Sequence, residues 1–165
     1  MISVRSIASS EWRDYRDVRL RALLDSPDAF GSTYDIEVTR PDDVWSARIN
    51  STISSGTDRA LFAFNCEQIC GLAWCKLSAS EPGVADLFQM WVAPASRGFG
   101  VGGALLKEAL AWAASVNAHR VRLGVTAADS PAMRLYKAHG FRPVGALEPL
   151  REGSSLMAQT MELEL

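Results

Sequence analysis

The hydrophobic residues of this chain recur at two spacings, every second position in some segments and every third or fourth in others. The first spacing is typical of strands with one buried face, and the second of helices with a buried stripe. Ser9 or Ser10 can cap the first predicted helix, and Pro41 with the aspartates after it opens the second. Residues 28–40 and 51–58 are predicted to be irregular. The first-half elements are a strand, two helices and a hairpin: Ile2 to Ser6, Trp12 to Leu24, Val44 to Ile49, then Ala60 to Asn65 with Ile69 to Leu77.

The second half alternates strands with helices. Val84 to Val92 is apolar on both faces, which predicts a central strand, and it leads directly into a glycine-rich turn. An apolar stripe at helical spacing then predicts a helix from Gly100 to Val116. The remaining predicted elements are a strand, a short helix and a closing pair of strands: Val121 to Val125, Ser130 to Gly140, Phe141 to Ala146 and Leu156 to Leu163. The pattern predicts a mixed α/β sheet with one βαβ crossover in its middle.

Composition narrows the class of protein. At 165 residues, with 48% apolar and 22% charged residues, we expect one globular domain covering residues 1–165. The formal charge of -2 offers no broad basic field, so we expect no nucleic-acid partner. No apolar run is long enough to cross a bilayer and the N-terminus does not resemble a signal peptide, so we expect no membrane partner and a cytoplasmic protein.

Cysteine and histidine usage gives no sign of a metal centre. Cys66, Cys70 and Cys75 are odd in number and crowded into one predicted hairpin, which favours free thiols over a disulfide framework. His119 and His139 supply no second pair of ligands at short spacing. We therefore expect no bound metal.

The glycine-rich turn is the strongest local signal. Four of the six residues from Gly98 to Gly103 are glycine, and unpaired amides at the start of a helix can bind a pyrophosphate. The same residues satisfy the G-x-G-x-x-G dinucleotide fingerprint, but that motif requires an acidic residue about twenty positions further on. Residues 118–122 contain no carboxylate, so a nicotinamide dinucleotide is disfavoured. A plain strand-to-helix turn is the remaining alternative.

A second segment, residues 129–141, places a lone tyrosine, Tyr136, on a short helix. The two segments together resemble the GNAT superfamily of N-acetyltransferases over roughly residues 60–146. The residues that match the family's loop motif and later motif are Arg97, Gly100, Gly102, Ala132, Tyr136, Gly140 and Phe141. Residues 25–32 resemble a stretch that recurs in many members.

The resemblance implies a GNAT-like mixed, mostly antiparallel sheet of about seven strands flanked by about four helices, with the pyrophosphate loop in the central βαβ crossover. It also implies transfer of an acetyl group from acetyl-CoA to a primary amine by direct attack in a ternary complex. The acceptor would be a small amine, an amino acid or a peptide N-terminus. A non-catalytic acyl-CoA-binding sensor or partner module is the alternative.

The resemblance also assigns roles to residues. Tyr136 would protonate the departing thiolate of CoA if its site lowers the phenol's pKa, and amides near Met90 to Val92 would stabilise the oxyanion. The central strand would diverge from the next strand and leave an edge for the pantetheine arm. The expected cofactor-binding residues are Met90, Trp91, Val92, Arg97, Gly98, Phe99, Gly100, Val101, Gly102, Gly103, Asp129 and Tyr136.

Two positions depart from the family pattern. Asp129 stands where the family often has asparagine; it can still cap the helix but adds a negative charge near the cofactor. Gly124 stands where the ribosomal-protein acetyltransferases have a glutamate base. Glu37, Asp86 or a water chain along backbone carbonyls could replace that base, and the sequence does not choose among them.

Residues 29–45 are the expected wall of the acceptor site. Their acidic side chains, with Asp28, could attract a cationic amine, although a solvated loop would show the same composition. The aromatic side chains of Phe30, Tyr34 and Trp45 could line a pocket or belong to the core. The identity of the amine, the use of longer acyl groups and the choice between monomer and homodimer stay open.

Overall fold

The computed structural model describes residues 1–165. The strands are β1 Ile2–Ser6, β2 Asp58–Asn65, β3 Gln68–Leu77, β4 Val84–Val92, β5 Arg120–Thr126, β6 Arg142–Pro149 and β7 Met157–Glu164. The helices are α1 Trp12–Asp25, α2 Tyr34–Glu37, α3 Asp42–Ser55, α4 Val101–Ser115 and α5 Pro131–Ala138. Short 3-10 turns occupy Ser9–Glu11, Pro27–Ala29 and Pro94–Ser96. None of the helices has the length and apolar character needed to cross a bilayer.

The seven strands form one sheet in the order β1-β2-β3-β4-β5-β7-β6. Only β4 and β5 pair in parallel, and α4 makes the crossover between them. All other neighbouring strands are antiparallel. The predicted mixed sheet, the central position of β4 and the single βαβ crossover are confirmed.

Helices cover the two faces of the sheet unequally. Alternate residues of β2 point to opposite faces, so Leu61 and Ala63 pack on the α4 side while Ala60 and Phe62 pack against α1 and α3. The larger buried cluster combines α4, α5 and the sheet, and the smaller one contains Trp45 of α3. On the α1 and α3 face, the helices lie over β2 and β3. The central strand β4 therefore runs at the margin of this cover.

The structure corrects several predicted boundaries in the first half. Residues 28–40 are not irregular throughout, because they contain the 3-10 turn and the single-turn helix α2. Neither serine caps α1; a 3-10 turn precedes it, and Glu11 accepts a hydrogen bond from the amide of Ala8 at 2.8 Å. The hairpin turn contains only Cys66 and Glu67.

The helix α3 extends further than its sequence predicts. Residues 51–55 look like a polar loop, yet the helix continues to Ser55. The hydroxyls of Ser51 and Thr52 donate to the carbonyls of Arg48 and Ile49, both at 2.8 Å, so these side chains bond within the helix instead of competing with it. Gly56, with φ at +67°, then ends the helix in the left-handed region.

Candidate active site

The loop between β4 and α4 presents a run of free backbone amides. Gly98 and Gly100 have φ angles of +85° and +84°, which only glycine adopts without strain, and they turn the chain into α4. The amides of residues 98–103 donate no hydrogen bond within the protein, and the first paired amide is that of Ala104, 3.0 Å from the carbonyl of Gly100. Phe99 is exposed beside them. The loop thus has the donors that an anion such as a pyrophosphate requires.

The glycine loop and the tyrosine helix touch each other. A Cβ placed on Gly102 would lie 3.1 Å from Cδ2 of Leu135 and 3.8 Å from Cγ2 of Val92, whereas a Cβ on Gly103 would meet nothing within 4 Å. Gly102 therefore allows the first turn of α4 to approach α5. Because Leu135 immediately precedes Tyr136, the two sequence segments meet at one place in the fold.

The central strand diverges from its parallel neighbour, as expected. β4 and β5 pair only from Val84 with Arg120 to Leu87 with Leu123. From residue 88 to residue 92, the edge of β4 that faces β5 has no strand partner. Met90, Trp91 and Val92 lie on this open edge, which follows directly from the loop of free amides.

A bulge interrupts β4 at the point of divergence. Trp74 pairs with Phe88 and Leu72 pairs with Trp91, so two residues of β4 stand opposite one residue of β3. Gln89 in this bulge has a φ of +55°, an uncommon conformation for a residue with a side chain.

The phenol of Tyr136 is held inside the protein. Its residue is 5% exposed, and its ring packs edge-on against Phe141 with centroids 5.8 Å apart. The hydroxyl makes no hydrogen bond within the protein. Burial raises the pKa of Tyr136, whereas a strong proton donor to CoA requires a lowered pKa. The phenol is thus neutral at physiological pH and available as a hydrogen-bond donor.

Arg97 is used to anchor the loop. Its Nε donates to the carbonyl of Val92 at 3.0 Å, and its Nη2 donates to Asp25 at the end of α1. Asp25 also accepts from Nε1 of Trp91 at 3.0 Å. Hydrogen bonds from Ser26, Trp91 and Arg97 lower the pKa of Asp25 to about 2. The side chain of Arg97 therefore joins the loop to α1 and β4.

Asp129 does not cap α5. The N-cap is Ser130, whose hydroxyl accepts from the amide of Met133 at 3.1 Å, and Asp129 instead pairs with Arg134 at 2.8 Å in an exposed position. Gly140, with φ at +93°, follows the end of the helix. Ser130 followed by Pro131 begins the helix, and the expected capping by Asp129 is wrong.

The two carboxylates considered as bases are both engaged. Both oxygens of Glu37 accept hydrogen bonds, one from Arg40 at 2.6 Å and one from Arg48 at 2.9 Å. Burial alone would raise the pKa of Glu37, but these two hydrogen bonds lower it. Asp86 accepts from Nε of Arg122 at 2.9 Å. Glu37 therefore has no oxygen without a partner, whereas Arg122 holds one of the two oxygens of Asp86.

A shallow groove lies on the face of the sheet that α1 and α3 leave open. It encloses about 230 Å³, and Gly124 lies in its wall where a glutamate base stands in one branch of the family. A Cβ on Gly124 would meet nothing within 4 Å, so the position is open. The residues lining the groove are Asp86, Leu87, Phe88, Arg122, Leu123, Gly124 and Thr160.

The expected acidic wall carries less free charge than its composition implies. Glu37 is buried and neutralised, and Asp42 pairs with Arg16 at 3.0 Å. Asp28 and Asp35 are exposed. The aromatic side chains of this segment are mainly structural, because Phe30 and Trp45 are buried in the core and Tyr34 packs against it.

Sequence reasoning missed two side chains that shape this region. Tyr15 of α1 donates a 2.8 Å hydrogen bond to Oε1 of Gln89, which connects α1 to the bulge. Asp25 joins α1 to the loop through Arg97. The sequence contains a hint of each contact. Gln89 is a polar residue within an apolar strand, and Asp25 lies in the last turn of a helix, where a negative charge is unfavourable unless a cation lies near. Neither signal identifies the partner.

In this α/β fold, a parallel pair of strands separates beside a run of free amides. This arrangement is that of a class of proteins that bind an extended, phosphate-bearing ligand. The chain belongs to the GNAT family of acetyltransferases, since the model of the Acetyltransferase (GNAT) family matches residues 6–141. It is thus an acyltransferase with acetyl-CoA as its co-substrate. None of the curated proteins compared with the chain matches it.

Solved structures share this fold at low sequence identity. A GNAT-family acetyltransferase from Streptococcus pneumoniae superposes with a TM-score of 0.85 at 23% identity, covering 100% of both chains. The putative acetyltransferase YncA from Salmonella typhimurium, solved with acetyl-CoA, has a TM-score of 0.81 at 20% identity, over 99% of this chain and 94% of that one. A spermidine N-acetyltransferase from Vibrio cholerae, in complex with CoA and spermine, has a TM-score of 0.79 at 18% identity, over 99% and 95%.

Proposed function

We propose that this protein transfers the acetyl group of acetyl-CoA to a primary amine by direct attack within a ternary complex. The observation that carries the proposal is the run of unpaired amides at residues 98–103, which lies beside the open edge of β4. Free amides at a helix start offer several donors and a partial positive charge to a diphosphate. Residues 98–103 would hold the pyrophosphate of the co-substrate.

The open edge of β4 suits the pantetheine arm. On the side that faces β5, residues 88–92 have no strand partner, and the amides of pantetheine can pair with the free backbone groups there as an added strand does. Met90, Trp91 and Val92 would hold the arm in this way. The thioester would then lie near the bulge, where backbone amides could stabilise the oxyanion.

Tyr136 would assist the departure of the CoA thiolate. The amine nitrogen forms the new bond to the carbonyl carbon, the carbon–sulfur bond breaks, and the phenol donates its hydrogen bond to the leaving thiolate. The raised pKa means that Tyr136 acts first by hydrogen bonding, and that full proton transfer occurs only if the bound co-substrate lowers this pKa. Asp129 is exposed near the start of this helix, and its expected contact with the cofactor stays a prediction.

Activation of the amine would use water. The incoming ammonium group must lose a proton before attack, and both candidate carboxylates already accept from arginines. A chain of waters along backbone carbonyls in the opening is the route that this arrangement favours. The rate would then rise with pH until the free amine predominates.

The test combines binding with turnover. Calorimetry with acetyl-CoA and with NAD⁺ should show binding of the first only, and release of CoA should be measured across a panel of primary amines. Tyr136→Phe should reduce kcat by about 10²-fold, the lower bound for acid catalysis, and leave the Kd for acetyl-CoA unchanged. Tight binding without turnover of any amine would favour the sensor alternative, and absence of binding would refute both.

A further inference from the structure

Arg19 is a buried cation without hydrogen-bonding partners. Only 5% of the residue is exposed, yet its Nε and Nη1 atoms have no hydrogen-bond partner in the protein. Its Cζ lies 4.7 Å from the ring centroid of Phe30, a cation–π contact that attracts the charge but accepts no N–H hydrogen bond of the usual kind. Burying a charged donor without an acceptor is costly, so the side chain fits a site that a ligand completes.

The neighbouring groups do not neutralise Arg19. The carboxylate whose charge acts on Arg19 is that of Glu37, which forms a cluster with Arg40 and Arg48 because each of these arginines donates to one of its oxygens. Burial raises the pKa of Tyr15, so its phenol stays neutral. The cluster thus contains three guanidinium groups and one carboxylate, an excess of positive charge beside the acceptor wall.

The position of Arg19 on α1 places it over the bulge of β4. One turn before it, Tyr15 bonds to Gln89, and at the end of the helix Asp25 bonds to Trp91. Along the helix Arg19 lies between these two contacts, and it shares the buried side of α1 with Tyr15. The part of α1 that carries Arg19 therefore runs alongside the segment of β4 that separates from β5.

Residues 27–30, which follow α1, are held against the end of β5 by hydrogen bonds. The hydroxyl of Thr126, at the end of β5, donates to the carbonyl of Asp28 at 2.6 Å. Arg151, from the connection between β6 and β7, donates to the carbonyls of Pro27 and Phe30 at 3.1 and 2.8 Å. The backbone on either side of Phe30, which contacts Arg19, is thereby tied to the end of β5, where β4 and β5 have separated.

We propose that Arg19 binds a carboxylate of the acceptor, and that the acceptor is a free α-amino acid. A guanidinium group pairs with a carboxylate through two parallel hydrogen bonds, which would use the donors that now have no partner. The inference rests on the proposed acetyl transfer, because it assigns the acceptor of that same site. A polyamine has no group for Arg19 and would meet the excess positive charge of the cluster.

The first experiment uses the wild-type protein and matched acceptors. Acetylation of L-alanine, L-leucine, L-lysine and L-glutamate is compared with that of their carboxamides, and spermidine is included as an amine without a carboxylate. The amino acids should have kcat/KM values at least about 10-fold above those of their amides, the value of one charge-assisted hydrogen bond. Equal values for acids and amides, or turnover of spermidine alone, would overturn the inference while leaving acetyl transfer intact.

The second experiment changes the arginine. Arg19→Gln should raise KM for the preferred amino acid about 10- to 100-fold and leave KM for its carboxamide and the Kd for acetyl-CoA unchanged. Arg19→Lys keeps the charge without the paired donors and should recover part of this loss. Arg13→Gln, an exposed arginine of the same helix, is the control and should change none of these values.

The outcomes separate the two proposals. If no amine is acetylated and acetyl-CoA does not bind, the proposed function has failed, and the assignment of Arg19 fails with it. If amines are acetylated but Arg19→Gln raises KM equally for acids and amides, Arg19 is structural and only the inference fails. The wild-type comparison decides the matter even if a substitution at Arg19 prevents folding.

Discussion

The link between Asp25 and the glycine loop predicts a pH-dependent loss of stability in Asp25→Asn. In the folded protein the pKa of Asp25 is about 2 against an ordinary value of 3.8, because Ser26, Trp91 and Arg97 donate to the carboxylate. A difference of this size corresponds to at most ~2.5 kcal/mol. The side chains of Asp25 and Arg97 are 24% and 48% exposed, so screening by solvent reduces the expected contribution to ~1 kcal/mol.

The sign of the pH dependence follows from the lowered pKa. The folded state favours the ionised carboxylate, so the stabilisation is complete above the unfolded pKa, near pH 4, and is lost as pH falls toward 2. Asp25→Asn should therefore be ~1 kcal/mol less stable than wild type at pH 7. At pH 2, close to the folded-state pKa of Asp25, most of this difference should be lost.

The measurement is urea-induced unfolding at pH 7, 4 and 2.5, with thermal unfolding at pH 7 as a second probe. At this chain length, ~1 kcal/mol should lower Tm by about 2–4 °C. Asp35→Asn is the control, because this exposed aspartate makes no side-chain hydrogen bond in the structure. A deficit of the same size at pH 7 and 2.5, or no deficit at pH 7, would refute the electrostatic account of the link.

Three further predictions concern this region of the fold. Gly102→Val should weaken acetyl-CoA binding in calorimetry by at least about 10-fold, because its side chain would push apart the two helices, whereas Gly103→Val meets open space and should disturb packing less. Tyr15→Phe should lower the free energy of unfolding by ~1 kcal/mol in urea, since Gln89 loses its partner; an unchanged value would contradict this. Glu37→Gln should cost ~3 kcal/mol, because it leaves two arginines without their carboxylate, and a neutral result would show that solvent replaces it.

Much of the fold follows from local sequence patterns. The bounds of β4 are predicted as observed, because an apolar run of nine residues between turn residues is too short for a typical buried helix and favours a buried strand. Pro131 after Ser130 likewise predicts the start of α5. The length of α3 is not predictable in this way, since serine and threonine favour turns and caps. Only the hydrogen bonds of Ser51 and Thr52 within the helix show that it continues.

The sequence by itself determined the loop of free amides, since closely spaced glycines before a helical stripe leave few other conformations. It also determined the order of strands and helices around that loop. Only the tertiary structure decided which charges are available. Glu37 pairs with Arg48 of α3 as well as with the nearby Arg40, and Arg19 of α1 is left without a partner, because helices from different parts of the chain pack together here. The proposed phosphate-binding part of the site therefore comes from one short segment of the chain, whereas the proposed acceptor part is formed by segments that only the tertiary structure brings together.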